Sequence, residues 1–258
     1  MSRKARLWLL AVGGLGVAVL FACAVFDLPR FGGHWHPYGD RAVRSALARH
    51  TANVVSSVNF DQRAFDTLGE ESILFGAVLG TVVLLRETRD EHSEPPDTVR
   101  VDPPVRRYAL IALPVTLLVG FYVIAHGQLS PGGGFQGGVV LATGLHLAYV
   151  AADYRVLRRV RPLAALGAVD AAAAGAFAAL GLAGLITGAA YLQNVLPLGT
   201  FNQLTSGGLV TLINAAVGVE VASGVVVLLA QFLDQAVEIE SPPEGDHGPG
   251  TRPSPEAS

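Results

Sequence analysis

Six long runs of apolar residues dominate the chain, and the stretches between them are polar or charged. The runs cover approximately residues 7–26, 68–86, 107–126, 136–154, 163–187 and 209–233. Each run is long enough, as an α-helix, to cross a hydrocarbon layer about 30 Å thick. None of them alternates as a membrane β-strand does, and backbone groups in lipid have to be paired within the segment. The pattern predicts an all-α integral membrane protein with about six transmembrane helices.

The composition supports lipid as the solvent. Of the 258 residues 51% are hydrophobic and 15% are charged, whereas soluble domains carry about 25% charged residues. The formal net charge of −3 and the lack of a basic stripe argue against a nucleic-acid partner. The single cysteine, Cys23, excludes an internal disulfide and a multi-cysteine metal centre. The first apolar run is too long for a typical signal peptide, so a retained helix is expected.

The distribution of arginine and lysine predicts the orientation. Arg3, Lys4 and Arg6 place the N-terminus in the cytoplasm, and six spans then place the C-terminus there too. The basic loops at 87–106 and 155–162 agree with this orientation.

Residues 27–67 carry five arginines although this orientation puts them outside. Within this segment, residues 40–58 have the spacing of an external amphipathic helix, lying at the membrane interface or against the bundle. A cytoplasmic placement of the segment is the competing interpretation.

A glycine-rich turn is predicted between the third and fourth spans, because neither helix can extend through glycines that surround a proline. Its residues are Ser130, Pro131, Gly132, Gly133, Gly134, Phe135, Gln136, Gly137 and Gly138. A closely packed helical hairpin is the favoured interpretation, and a contact with an anion or a neighbouring chain is the alternative.

A second polar segment, residues 60–71, leads into the second apolar run. Thr67 and Glu70 have the spacing of a capping box, which predicts that the helix begins there. The apolar part that follows is short for a membrane crossing. Glu70 or Glu71 would therefore lie within the thickness of the membrane, where a carboxylate has to be protonated, paired or exposed to water.

Four more ionisable residues lie in or beside the apolar runs: His126, His146, Asp170 and Glu220. Such residues in a membrane span indicate a role in ion movement by default. Glu220 has the deepest predicted position, and a structural pair with another subunit is its alternative role. For His126 and His146 a helix-contact role is equally open. Asp170 is expected near the cytoplasmic surface, where a structural role is preferred.

No constellation for enzymatic chemistry is present. The nucleophile-elbow, zinc-protease and dinucleotide-binding patterns are missing, as is a Cys/His metal cluster. We therefore expect no catalytic residue, no metal site, no cofactor and no enzymatic activity in this chain.

Residues 107–233 resemble the MnhB family, whose members are subunits of Mrp-type sodium/proton antiporters. Residues 126–138 (HGQLSPGGGFQGG) carry the resemblance, and residues 214–224 (NAAVGVEVASG) support it. Residues 52–86 are similar to the C-terminal extension of the large Mrp antiporter subunit, which is a separate small subunit in membrane-bound hydrogenases. The resemblance divides the chain into a two-helix module at 1–86, a linker at 87–106, a four-helix module at 107–240 and a disordered tail at 241–258.

The resemblance implies an accessory or ion-path subunit of a multi-subunit antiporter in the cell's inner (plasma) membrane. Na⁺ and H⁺ would be the transported ions, and other membrane subunits of the complex would be the partners. By resemblance Glu70 matches an acidic position along an ion route, so Glu70 and Glu220 are the leading candidates. Two alternatives remain. One is a membrane-arm subunit of a hydrogenase or another complex I-like redox-driven complex, and the other is a pure assembly scaffold.

Overall fold

The structure, a computed structural model, describes residues 3–28, 36–85, 101–151 and 163–239. For residues 149–151, 163–164 and 233–239 it describes the backbone alone. Residues 87–100 of the linker predicted over 87–106, and the tail predicted over 241–258, lie outside these residues. The chain divides into two compact units, Met1–Arg41 and Ala42–Ser258.

All regular secondary structure in the described residues is helical, which confirms the all-α fold class. The helices are α1 (Arg3–Phe26), α2 (Pro37–Ala48), α3 (Val54–Ser57), α4 (Ala64–Leu84), α5 (Pro103–Ala125), α6 (Gly134–Ala151), α7 (Leu163–Ile186) and α8 (Leu209–Ile239). A single π-helical turn, Val58–Gln62, joins α3 to α4. We call it the π-turn.

Five of these helices are long and apolar enough to cross a membrane, as the apolar runs predicted. They are Arg3–Phe26, Ala64–Leu84, Pro103–Ala125, Ala165–Ile186 and Leu209–Phe232. The remaining predicted span corresponds to α6, an 18-residue helix whose end adjoins residues 152–162, outside the described part of the chain. The crossing of the membrane by α6, and the orientation of both termini, stay predictions.

Helix α8 forms the centre of the second unit. It packs against α4, α5, α6 and α7, and most of its first 24 residues are buried. The core around it contains Phe177 of α7 and four residues on one side of α8: Leu209, Ile213, Val217 and Val221. A helix that is apolar all round is expected at such a central position. The other spans leave apolar faces exposed, as a protein surrounded by lipid and partner helices would.

The glycines of the predicted turn allow α6 to approach α8 closely. A Cβ atom on Gly138 would lie 2.7 Å from Cβ of Val221 and 2.9 Å from the carbonyl oxygen of Gly218. Both distances are too short for atoms in van der Waals contact. Helix packing through small residues is the usual way for membrane helices to associate closely.

The single amphipathic helix predicted over residues 40–58 is wrong. The chain breaks after α2 because His50 adopts a left-handed conformation with φ of 54°. Asn53 then caps α3, and its side-chain oxygen accepts hydrogen bonds from the backbone N–H groups of Val55 and Ser56. The expected apolar face also points outward, since Val55 is exposed while Ser56 is buried.

Several helices begin earlier than predicted. Helix α6 begins at Gly134, inside the predicted glycine-rich turn, so the second half of that turn is helical. Helix α4 begins at Ala64, and the Thr67 hydroxyl donates to the carbonyl oxygen of Asn59 at 2.8 Å, so the predicted capping box is wrong. The π-turn supplies the start of α4 in its place. Helix α5 begins at Pro103 inside the predicted linker, because proline is tolerated in the first turn, where its missing N–H is not needed.

Candidate functional site

Three carboxyl groups meet in the interior of the second unit. Glu71 projects from α4, Asp170 from α7 and Glu220 from α8. Their residues are 1%, 2% and 0% exposed. All three lie within helices long enough to span a membrane. We call Glu71, Asp170 and Glu220 the carboxyl trio.

The members of the trio are close neighbours. The carboxyl groups of Glu71 and Glu220 lie within hydrogen-bonding reach of each other, and Asp170 interacts electrostatically with both. A Cβ atom placed on Gly224 would lie 3.1 Å from Oδ1 of Asp170, so a glycine on α8 makes room for this carboxyl group. The trio therefore depends on the packing of three separate helices.

The trio lacks the partners that buried carboxylates usually have. Both carboxyl oxygens of Glu71 and of Glu220, and Oδ1 of Asp170, are buried without a hydrogen-bond partner among the described residues. No ion pair to the trio forms in that part of the chain either. Buried charges without a partner are costly, and two ionised carboxylates offer each other no donor. A proton on either Glu71 or Glu220 would supply the missing donor.

Glu70 occupies a different environment from its neighbour Glu71. It is exposed and lines an open cavity of about 290 Å³ at the start of α4. The other lining residues are Val58, Asn59, Arg63, Asp66 and Thr67. Successive helical residues point about 100° apart, so only one of the two glutamates can face α8.

The two histidines lie on the α5–α6 hairpin. His126 is the residue at which α5 ends, its ring is 4.0 Å from the ring of Tyr122, and its Nδ1 lies 3.0 Å from the Tyr122 carbonyl oxygen. Both contacts are with a residue of the last turn of the same helix, α5. His146 is half-buried on α6.

The glycine-rich turn is held by two buried asparagines. Asn214 of α8 accepts a hydrogen bond from the N–H of Gly134 at 2.9 Å and donates to Oγ of Ser56 at 2.9 Å. Asn53 donates to the carbonyl oxygens of Gly127 and Ser130, both at 2.8 Å. We call this network of Asn53, Ser56 and Asn214 with the turn the polar junction. Its space is tight, because a Cβ atom on Gly133 would lie 2.6 Å from Oδ1 of Asn214.

A third asparagine organises the loop before α8. Asn194 donates to the carbonyl oxygen of Gly207 at 2.9 Å and accepts from the N–H of Leu209 at 3.0 Å, which satisfies one of the free donors at the start of that helix. None of these asparagines was among the predicted site residues. Asparagine directly before a helical segment is a recognisable capping signal, but hydrogen bonds across the bundle have no sequence signature.

A fourth buried carboxyl group lies outside the spans, on the π-turn. The side chain of Asp61 is 5% exposed, and Oδ1 lies 3.7 Å from a guanidinium nitrogen of Arg49. Burial raises the pKa of Asp61, and the nearby Arg49 guanidinium and Asn194 side chain offset only part of that effect. Unlike the trio, Asp61 has a cation beside it.

A known family matches part of the chain. Residues 104–227 match the family described as a domain related to the MnhB subunit of Na⁺/H⁺ antiporter. An uncharacterized protein of Methanocaldococcus jannaschii is 28% identical over 203 residues, which is 67% of this chain and 73% of that protein. A Rhizobium meliloti protein, named as the probable A/B subunit of a K⁺/H⁺ antiporter, is 30% identical over 186 residues, 62% of this chain and 18% of that protein.

Two solved structures share the fold. A chain of the membrane-bound sulfane sulfur reductase, an archaeal respiratory membrane complex, aligns with a TM-score of 0.69 and 26% identity over 90% of this chain and 99% of that chain. A chain of the Mrp complex from a Dietzia species aligns with a TM-score of 0.67 and 24% identity over 90% of this chain but 26% of that chain. This protein thus spans only 18% of the Rhizobium relative and 26% of the Dietzia chain.

Proposed function

Because the chain carries a domain of the MnhB family over residues 104–227, we propose that it works as one subunit of a multi-subunit cation/proton antiporter-like membrane complex. It is a multi-pass membrane protein, and the solved structures that it resembles are chains of multi-subunit membrane complexes. The plasma membrane is the proposed location. Other membrane subunits are the proposed partners.

Within such a complex we propose that the chain forms part of the path of the transported ions, and one observation supports this role. Three membrane-embedded carboxyl groups meet without a cation beside them, and the two glutamates have no hydrogen-bond donor, among the described residues. A proton carrier needs groups that exchange protons without breaking a structural pair, and the trio satisfies that condition. Glu71, Asp170 and Glu220 would take up and release protons as a cation moves through the partner subunits.

This proposal changes which of the predicted ion-path residues are the leading candidates. Glu71 replaces Glu70 as the carboxyl group opposite Glu220, because Glu70 is exposed at the open cavity. Asp170 joins them although a position near the membrane surface was expected for it. His126 and His146 remain candidates of lower weight, on the separate α5–α6 hairpin. The transported cation is proposed as Na⁺ by resemblance, and K⁺ is the alternative that the name of the Rhizobium relative raises.

Transport in everted membrane vesicles tests the ion-path role. The complete complex is expressed in a host without its own antiporters, and the collapse of an imposed pH gradient is followed after Na⁺ or K⁺ is added. Glu71→Gln and Glu220→Gln keep the side-chain shape but cannot ionise. Each is expected to slow cation-dependent collapse about a hundredfold, the scale seen when a proton-transferring side chain is removed.

The matched control is Asp102→Asn, which also removes one carboxylate. Asp102 is exposed before α5 and makes no side-chain capping bond. Wild-type rates are expected for this control. Wild-type rates in both glutamate variants would refute the ion-path role. Loss of co-purification with a tagged partner subunit, instead of slow transport in an intact complex, would support the scaffold alternative.

A redox-driven complex is the second candidate for the parent assembly. The alignment with the sulfane sulfur reductase chain covers 90% of this chain and 99% of that chain. Iron and acid-labile sulfide in the purified complex would favour this candidate. Large antiporter-like subunits without them would favour the stand-alone antiporter. In either assembly we propose that this chain is not itself an enzyme.

A further inference from the structure

The open cavity at the start of α4 is lined by Glu70, the neighbour in sequence of Glu71 of the carboxyl trio. Val58 and Asn59 of the π-turn form one side of the cavity, and Arg63, Asp66 and Glu70 bring charged groups to it. Arg63 and Asp66 form an exposed ion pair. A polar and roomy site of this kind holds water. The residues of the trio are at most 2% exposed, and none of them lines this cavity.

Thr67 belongs to both regions. It lines the cavity, yet the residue is only 2% exposed. It lies four residues before Glu71 on α4, and side chains with that spacing are neighbours on one face of a helix. Its hydroxyl donates to the carbonyl oxygen of Asn59 at 2.8 Å, so the oxygen lone pairs stay free to accept. Thr67 therefore lines the cavity and lies on the face of α4 that carries Glu71.

A second hydroxyl at the trio, that of Ser223 beside Asp170, does not reach the cavity. Ser223 donates to the carbonyl oxygens of Val219 and Glu220 within α8, at 2.7 and 3.1 Å. It is 3% exposed and does not line the cavity. On the far side of the trio, Gly224 packs against Val78 and Asp170. Of the polar residues that line the cavity, Thr67 is the one that is buried.

We propose that this cavity is the aqueous vestibule of the carboxyl trio and that Thr67 is the positioning residue through which protons pass between them. The proposal rests on the proposed ion-path role of the trio. When a proton moves from the cavity to the trio, a hydronium ion in the cavity gives a proton to Oγ of Thr67. The hydroxyl turns from Asn59 and gives its own proton to the Glu71 carboxylate. One proton has then moved from water to Glu71, and Thr67 is unchanged.

A hydroxyl-deletion series tests the proposal in the complete complex. Thr67→Val has the same shape without the hydroxyl, and Thr67→Ser keeps the hydroxyl without the methyl group. In everted vesicles Thr67→Val is expected to slow cation-dependent collapse of the pH gradient about tenfold, with an unchanged apparent affinity for the cation. Thr67→Ser is expected to keep at least half of the wild-type rate. A role in packing alone would not be rescued by the smaller serine, and a structural role of the hydrogen bond to Asn59 would lower the unfolding midpoint of Thr67→Val.

The outcomes separate this proposal from the broader one. Wild-type rates in Thr67→Val, together with loss of transport in Glu71→Gln and Glu220→Gln, would overturn the vestibule and leave the ion-path role standing. Wild-type rates in all three variants would overturn both. Equal losses in Thr67→Val and Thr67→Ser would also overturn the proposal, because packing and not the hydroxyl would then matter.

Thiol labelling of the assembled complex checks the vestibule directly. Cys23 is the only cysteine of the chain, so Cys23→Ser gives a background without thiols. In that background Asn59→Cys places a thiol on the cavity wall, and Leu118→Cys places one on the exposed apolar side of α5. A charged, membrane-impermeant methanethiosulfonate is expected to modify the first from one side of the membrane and to spare the second. Absence of modification at Asn59→Cys would show that the cavity is not open to water and overturn the proposal.

Discussion

The polar junction and the carboxyl trio are both buried groups of polar side chains around α8, but they differ in how their hydrogen bonds are satisfied. In the junction, Asn214 bonds Gly134, Ser56 and Val210, and Asn53 bonds four backbone groups. In the trio, both oxygens of Glu71 and of Glu220 have no partner in the described residues.

This difference separates a structural from a functional use of polarity. Buried polar groups in proteins are nearly always hydrogen-bonded, so a satisfied network such as the junction fixes one arrangement of helices. A group left unsatisfied costs stability and needs another reason to be there. The junction sets the geometry of the α5–α6 hairpin on α8, whereas we propose that the trio keeps proton-exchanging groups at a cost in stability.

The two regions share one helix but not one face. Asn214 and Glu220 are six residues apart on α8, which places them about 240° apart around the helix axis. Substitutions in one region are therefore expected to leave the other intact.

The largest expected effect is the loss of stability on removing Asn214. Asn214→Leu leaves the N–H of Gly134 without an acceptor and the Ser56 hydroxyl without its donor. Unsatisfied buried groups cost about 1–3 kcal/mol each, so a loss of about 4 kcal/mol is expected. The thermal unfolding midpoint and yield of the detergent-purified complex measure it. The complexes that survive should exchange ions with wild-type dependence on pH.

The control for this comparison is Gln203→Leu in the loop before α8, where the side chain is exposed. Its unfolding midpoint should equal that of the wild type. Should Asn214→Leu assemble normally and alter only transport, the junction would belong to the ion path, and the division between the two regions would be lost.

Removing two carboxyl groups of the trio is expected to raise the stability, by less than the loss of Asn214 lowers it. The double variant Glu71→Met/Glu220→Met replaces two unpaired carboxyl groups by apolar side chains of similar volume. Such replacements of buried charged groups are commonly neutral or stabilising by about 1–4 kcal/mol. The purified complex should unfold at a higher temperature and show no cation-dependent proton movement. A lower unfolding temperature would mean that the carboxyl groups support the fold, which would remove the contrast with the junction.

The sequence predicted the spans well because lipid imposes a simple rule on length and composition. The apolar runs ending at Phe26 and beginning at Leu163 and Leu209 coincide with helix ends in the structure. The rule does not predict the first residue of a helix where local hydrogen bonds determine it. Thr67 fits a capping box by spacing, but the π-turn already starts the helix at Ala64.

The carboxyl trio was only partly predictable. Each member was recognisable as an ionisable residue beside or within an apolar run, yet the choice between Glu70 and Glu71 depends on which way α4 faces α8. The prediction for Asp170 used only its distance from the arginines before α7, which does not tell which residues surround it. Its contact with Gly224 depends on packing between α7 and α8, which one sequence does not reveal.

The smallest expected effect concerns Asp61, a buried carboxyl group with a cation at its side. Burial raises its pKa from the ordinary value of 3.8, and the Arg49 guanidinium and Asn194 side chain lower it by less. The folded protein therefore binds this proton more tightly than the unfolded chain. The resulting stabilisation is complete below about pH 3.8 and is lost as the pH rises through the folded-state pKa.

Asp61→Asn should remove that pH dependence and leave the unfolding midpoint at neutral pH unchanged or slightly higher. The change should stay within about 1 kcal/mol, because the partly exposed ion pair with Arg49 is lost at the same time. Unfolding midpoints of wild type and variant between pH 4 and 7 measure it, with Asp66→Asn as the exposed ion-pair control. A marked destabilisation at neutral pH would mean that the Arg49 pair outweighs burial. Asp61 would then be a structural residue, like the asparagines of the junction. The presence of a nearby cation would in that case distinguish a structural buried carboxyl group from those of the trio.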